Sequence, residues 1–159
     1  MSADARLKEL GIELPPPVAP AGLYAPCVQV GPLVFVSGQI PLQDGQPIRH
    51  GKLGESVSVD EGAALARQCA IQALGIIQRQ VGSLDHVRKV VRVGGFVASG
   101  KDFIEHPRVI NGASQVLIDV FGEEIGRHAR IAVGLAELPL GVPVEVEFLF
   151  EISRAAAGG

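Results

Sequence analysis

The sequence predicts an α+β fold in which two helices cover one face of an antiparallel-rich β-sheet. Three observations predict it. Runs of β-rich sequence open and close the chain, and the closing runs alternate apolar and polar residues. Two segments with helical apolar spacing lie between them, separated by one further strand-like run. Turn residues punctuate the runs, which gives the order ββ-α-β-α-ββ.

Each element has its own justification. Residues 2–10, SADARLKEL, form a short helix that Gly11 closes, and PPPVAP (15–20) is an extended connector, because proline cannot continue a helix. CVQV, a Gly31-Pro32 turn and LVFVSG read as a hairpin. Residues 41–57, with Gly, Pro, Gln and Asp, read as a loop. Ser58 and Glu61 make a capping box ahead of Ala63, Ala66, Ala70, Ala73 and Ile77, so 59–81 is a long helix that Gly82 and Ser83 end. VRKVVRVGGFVA (87–98) is a strand whose Gly94-Gly95 pair marks a bulge or a close backbone approach. A second long helix covers about 107–121: Pro107 suits its first turn, Val109, Ala113, Val116 and Val120 form its stripe, and Gly122 closes it. ARIAVGLAEL (129–138) and PVEVEFLFEI (143–152) form the last strand pair. The organisation expected is an N-terminal extension (1–21), one domain (22–153) and a frayed tail (154–159).

Composition narrows the function. The 159 residues are 47% hydrophobic with a mean hydropathy of +0.31, apolar for a soluble monomer, so part of the surface is expected to be buried between subunits. A net charge of −3, a pI near 5.8 and no basic stripe leave no nucleic-acid footprint. Cys27 and Cys69, without metal spacing, read as reduced thiols of a cytosolic protein. His50, His86, His106 and His128 fall at no metal-binding spacing. Met1 to Pro20 carries no apolar leader core, and no apolar run reaches membrane-spanning length. The expectation is a cytoplasmic chain with no membrane partner.

Two residues of the last strand pair can carry chemistry. Arg130 shares its strand face with Ala132, Gly134 and Ala136, and small neighbours leave room above a planar fork that suits a carboxylate. The alternative is an internal ion pair with a glutamate of the next strand. Glu145 is the candidate acid or base; its alternative is a solvated face shared with Glu147 and Glu151. With a turn centred near Leu140-Gly141, Arg130 pairs near Glu151, about six residues or roughly 20 Å from Glu145. The two are then expected to meet only across a subunit boundary.

The string HARIAVGLAELPLGVPVEVEFLFEI resembles the C-terminal signature of the Rid/YjgF family, and QVGPLVFVSGQIP resembles its first hairpin. The likeness covers about residues 22–152. It implies a chorismate-mutase-like (YjgF-like) α+β fold with a mixed sheet, and a homotrimer with clefts between subunits. It also implies hydrolysis of reactive enamines or imines such as 2-aminoacrylate to a keto acid and ammonia, without metal or organic cofactor. By the same resemblance, Arg130 is the carboxylate-binding arginine and Glu145 the glutamate that contacts water or substrate. Tyr24 is the pocket tyrosine, Ser37 and Gly38 are pocket-wall residues, and Asn111 lies near the pocket. Ala132 stands where well-studied members often carry a cysteine, and His128-Ala129 replaces their Pro-Ala. Residues 41–57 and the N-terminal extension are longer than in compact members. The competing readings are a non-catalytic trimer that senses a small carboxylate metabolite in the same cleft, and RNA cleavage, which the acidic pI disfavours.

Overall fold

The computed structural model describes residues 1–16, 18–20 and 22–153. The frayed tail expected at 154–159 lies outside them. Helix α1 (Ala3–Glu9) leads into the connector. Strands β1 (Cys27–Val30) and β2 (Leu33–Gln39) follow, turning at Gly31, whose φ of 58° a side chain would strain. The segment expected as plain loop holds a small hairpin of β3 (Leu42–Gln43) and β4 (Gln46–Pro47). It also buries Leu53 completely, through backbone bridges to Val57 and Ser99.

Helix α2 (Val59–Val81) begins at the expected capping box. Ser58 Oγ accepts from Glu61 N at 3.1 Å, and Ser58 N donates to Glu61 Oε2 at 2.8 Å. Strand β5 (Val87–Ala98) leads to α3 (His106–Gly126), whose helical geometry breaks at Gly122, φ 78°. Strands β6 (Ala129–Leu135) and β7 (Val144–Ile152) complete the chain.

The main sheet runs β1-β2-β7-β5-β6. Three of its pairings are antiparallel, and β5–β6 is parallel. This corrects the terminal hairpin: β6 and β7 never pair, because β5 lies between them. The physical reason is the connection on each side. Helix α3 supplies the long crossover that a parallel β5–β6 pair needs. The segment between Leu135 and Val144 is long enough to step over β5.

One face of the sheet carries α2 and α3. Val144, Val146, Phe148, Phe150 and Ile152 alternate inward from β7 and pack with Leu74, Ile77, Ile110 and Leu117 of the helices. Burying Phe150 alone contributes about 1.5–3 kcal/mol. The N-terminal segment is part of this layer. Ala3 and Leu7 are buried in the core, Ala3 N donates to Asp85 Oδ1 at 2.6 Å, and Ser83 Oγ donates to Asp4 Oδ2 at 2.6 Å. Among the described residues no helix covers the other face, which presents Val28, Phe35, Ile131 and Glu147.

The helices touch backbone to backbone at Gly112, where a Cβ would collide with the carbonyl of Ala63. Gly112→Ala is therefore expected to cost about 1–3 kcal/mol through overpacking. For a chain of this size that lowers Tm by roughly 2–10 °C. A thermal melt within about 1 °C of the parent would show that the contact does not constrain the fold.

Candidate functional site

Strand β6 sets Arg130. Arg130, Ala132 and Gly134 pair with Val93, Gly95 and Val97 of β5, and a Cβ on Gly95 would run into Ile110 of α3. Arg130 therefore projects on the helix-covered side, from the outermost strand, at the rim of the sheet. Nη1 donates to Asn111 Oδ1 at 2.8 Å and to Ser114 Oγ at 3.1 Å, and Nη2 donates to the Pro107 carbonyl at 3.3 Å. All three acceptors are neutral groups of α3. No carboxylate among the described residues pairs with Arg130, so the internal ion pair does not form. Three of the five guanidinium N–H groups are thus held. Nε–H and one Nη2–H have no acceptor among the described residues. Burial lowers the pKa of the guanidinium, which nevertheless stays charged.

A chain of bonds continues behind the arginine. Ser114 Oγ lies 2.9 Å from His128 Nε2, and His128 Nδ1 lies 2.7 Å from the Gly126 carbonyl. A carbonyl only accepts, so Nδ1 carries the proton and Nε2 accepts from the serine hydroxyl. Burial, opposed by the Gly126 bond and assisted by the charges of Arg130 and Lys89, lowers the pKa of His128. In the sequence His128 stands out only as a histidine without metal-binding spacing and as a departure from the family pattern, and Ser114 by itself does not stand out. The signal for Ser114 was present: it lies three residues after Asn111, on the same helix face.

Glu145 belongs to the other face. It sits between Val144 and Val146, which are fully buried, so alternation turns it away from the helices. It is level with Phe96, whereas Arg130 is level with Val93. The offset is three positions, about 10 Å, with two strand spacings of nearly 5 Å each between them. That corrects the six-position offset derived from a hairpin, while the separation itself stands. The carboxylate lies against Gly38, where a Cβ would strike Oε1. Burial first, and the charge of Glu147 second, raise the pKa of Glu145 above the ordinary carboxylate range.

Gly38 and Tyr24 line a cavity of about 590 Å³, walled by the connector at Pro15 and Val18, by Gln39 and by Gln72 and Arg79 of α2. Its volume and largely apolar walls suit a small metabolite. Ser37 holds the adjoining corner: its hydroxyl donates to the Ala25 carbonyl at 2.6 Å and its N–H to the Pro26 carbonyl at 3.0 Å. Within one copy of the chain these residues fall in two separate places: Arg130 bonds Asn111 and shares its strand face with Ala132, whereas Tyr24 and Gly38 line the cavity, with Ser37 next to Gly38 and Glu145 packed against it. Among the described residues no group of three His, Cys, Asp or Glu side chains is placed to hold a metal, and no helix is long and apolar enough to cross a membrane.

Known proteins share this arrangement of strands and helices. The chain is 48% identical over 150 residues to Protein TCP17 of Trypanosoma cruzi, covering 94% of each chain. The crystal structure of Atu1372, a protein of unknown function from Agrobacterium tumefaciens, is 40% identical and superposes with a TM-score of 0.85 over 94% of this chain and 91% of that one. A Shewanella oneidensis structure described as a "putative endoribonuclease" is 32% identical, with a TM-score of 0.91 over 96% of this chain and 100% of its own. The family model for "YjgF/chorismate mutase-like, putative endoribonuclease" matches residues 4–152. With nearly its whole length matched and the mixed sheet in place, the chain belongs to the YjgF/chorismate mutase-like family.

Proposed function

We propose that the protein hydrolyses small enamine and imine intermediates derived from amino acids, of the 2-aminoacrylate kind, to a keto acid and ammonia. The reaction takes place in a cleft between subunits of a homotrimer in the cytoplasm. One observation carries the reading: Arg130 is a half-buried cation held in place by three neutral acceptors, with no acid among the described residues to neutralise it. Such a group is prepared for an anion, and the two free N–H groups match the two oxygens of a carboxylate. The assembly is supported by the uncovered sheet face, where Val28, Val30, Phe35, Ile131 and Leu135 are exposed together with no helix over them. Patches of that kind mark interaction surfaces. Glu145 and Tyr24 then come from the subunit adjoining the one that supplies Arg130.

The chemistry needs little. Water adds to the imine carbon, and its proton passes to Glu145. The glutamic acid returns that proton to nitrogen, giving the carbinolamine; the carboxylate then takes the hydroxyl proton and passes it to the amine as the C–N bond breaks, so that ammonia leaves as the carbonyl forms. Holding substrate and water in reach supplies most of the acceleration, and Glu145 supplies the proton transfers. A carboxylate with a raised pKa is suited to both taking and giving a proton near neutrality. Ala132 brings no thiol to the site. That favours, as a second reading, a trimer that binds small carboxylate metabolites without turnover.

The decisive assay generates an imine with an amino-acid oxidase in the presence of semicarbazide. The protein is expected to suppress semicarbazone formation. No suppression, with keto-acid binding retained in calorimetry, selects the sensor instead.

Arg130→Ala is expected to lower kcat/KM by roughly 10²-fold or more, because two charge-assisted bonds are lost. Glu145→Gln is expected to lower kcat by about 10²–10⁴-fold with KM little changed. Full activity in Arg130→Ala rejects the site assignment.

The raised pKa of Glu145 has a consequence for the pH profile. Its base form is lost as pH falls through that raised value, so the acid limb of kcat lies above the ordinary carboxylate range. In Glu145→Gln that limb disappears from the residual activity. A limb unchanged by the substitution assigns the titration to another group.

A further inference from the structure

We propose that His128 and Ser114 are positioning residues that hold Arg130 ready for a carboxylate, and that acid releases the hold. The inference rests on the carboxylate-binding reading of Arg130 and adds a means of control to it. The geometry is a single relay across two elements. Arg130 Nη1–H donates to Ser114 Oγ (3.1 Å), Ser114 O–H donates to His128 Nε2 (2.9 Å), and His128 Nδ1–H donates to the Gly126 carbonyl (2.7 Å). Every proton has one direction, because both ends of the relay are fixed. A guanidinium only donates, and a carbonyl only accepts. The serine hydroxyl can accept from Arg130 and donate to His128 at the same time only while the imidazole is neutral.

The relay controls orientation because Arg130 is on an edge strand, with no strand beyond it and no acid to hold its fork among the described residues. Asn111 and the Pro107 carbonyl fix the remaining two contacts from the first half of α3. Ser114 lies one helical turn further on and ties the guanidinium to the end of the helix, where Gly126 and His128 form the turn into β6. The helix and the strand on either side of the guanidinium are thus tied together through His128. A proline at this position, as in the family pattern, has no side chain that can accept the serine hydroxyl.

Protonation reverses the middle bond. With Nε2 carrying a proton, Ser114 can no longer donate to it, and a second positive charge stands behind Arg130. The charged groups that bear on His128 are Arg130, two residues on in β6, and Lys89 on β5; Ser114 faces it from α3 and is uncharged. Both neighbouring charges are positive and, with burial, keep the imidazole neutral at neutral pH. Its pKa in the fold lies below the ordinary histidine value. The relay is therefore complete above that ordinary value and is lost as pH falls through the lowered one.

The test is calorimetric binding of pyruvate, which stays ionised throughout, to the full chain between pH 5 and pH 8. The parent is expected to lose about tenfold in affinity on acidification, as the serine hydroxyl loses its acceptor and the imidazolium repels the guanidinium it had held in place. Ser114→Ala is expected to bind about five- to tenfold more weakly at pH 8 and to lose the pH dependence. His128→Gln, whose amide oxygen keeps an acceptor at every pH, should restore near-parental affinity without the slope. Nitrogen NMR should show His128 protonated at Nδ1 at pH 8. Parental affinity and slope in Ser114→Ala, or a proton on Nε2 at pH 8, overturns the relay while leaving Arg130's role intact. Undiminished binding in Arg130→Ala, or no pyruvate binding by the parent, overturns the carboxylate reading itself and the relay with it.

Discussion

The arrangement depends on one constraint: β6 lies outside β5 and parallel to it, at the rim of the sheet. A parallel neighbour fixes the direction of the strand, and the pleat then fixes which side chains face α3. Arg130 is among them, and so its partners are the neutral groups of that helix. Had β6 folded back on β7, as the chain order suggested, alternating glutamates would have lain beside it. The guanidinium would then have been spent on a structural pair. The crossover through α3 keeps the cation and the acids on separate strands and on opposite faces.

Small residues make the same separation possible at close quarters. Gly95 lets Ile110 press onto β5, which brings α3 near enough for Asn111 and Ser114 to reach Arg130. Gly112 lets α2 and α3 meet at the Ala63 carbonyl and fixes the height of that helix over the sheet. On the other face Gly38 leaves the space that the Glu145 carboxylate fills. Stability and site geometry thus draw on the same close approaches, and a methyl group at any of these positions disturbs both.

Much of this was legible in the sequence, for reasons that can be named. The capping box at Ser58 and Glu61, the alanine stripe of α2 and the apolar alternation of β7 report on local geometry, and local geometry is encoded locally. The arginine on a face of alanine and glycine was legible as a cation with open space beside it. Strand partners were not legible, because pairing is a long-range property. Adjacent strands usually pair, and with strands read over 129–138 and 143–152 the short segment between them looked like a hairpin turn. The place of α1 in the core was hidden in the same way, since its anchors, Asp85 and Ser83, lie some eighty positions along the chain. His128 and Ser114 escaped notice because each is unremarkable alone, and only the helix-to-strand turn brings them together.

The distance between Arg130 and Glu145 is what gives each its chemical character. Had they been neighbours in one chain, they would have formed a buried ion pair. The arginine would then have pulled the glutamate's pKa down, and the glutamate would have taken up the arginine's free donors. Apart, the arginine keeps two donors unused, while burial and Glu147 raise the glutamate's pKa. The proposed substrate, with a carboxylate at one end and an electrophilic carbon next to it, would need these two properties together, and this sheet holds them on opposite faces. In the proposed trimer, assembly of identical chains would resolve the conflict. Each copy carries a cation with no acid partner among the described residues and one raised-pKa acid, and a boundary between two copies would bring them into one cleft without letting them cancel within either.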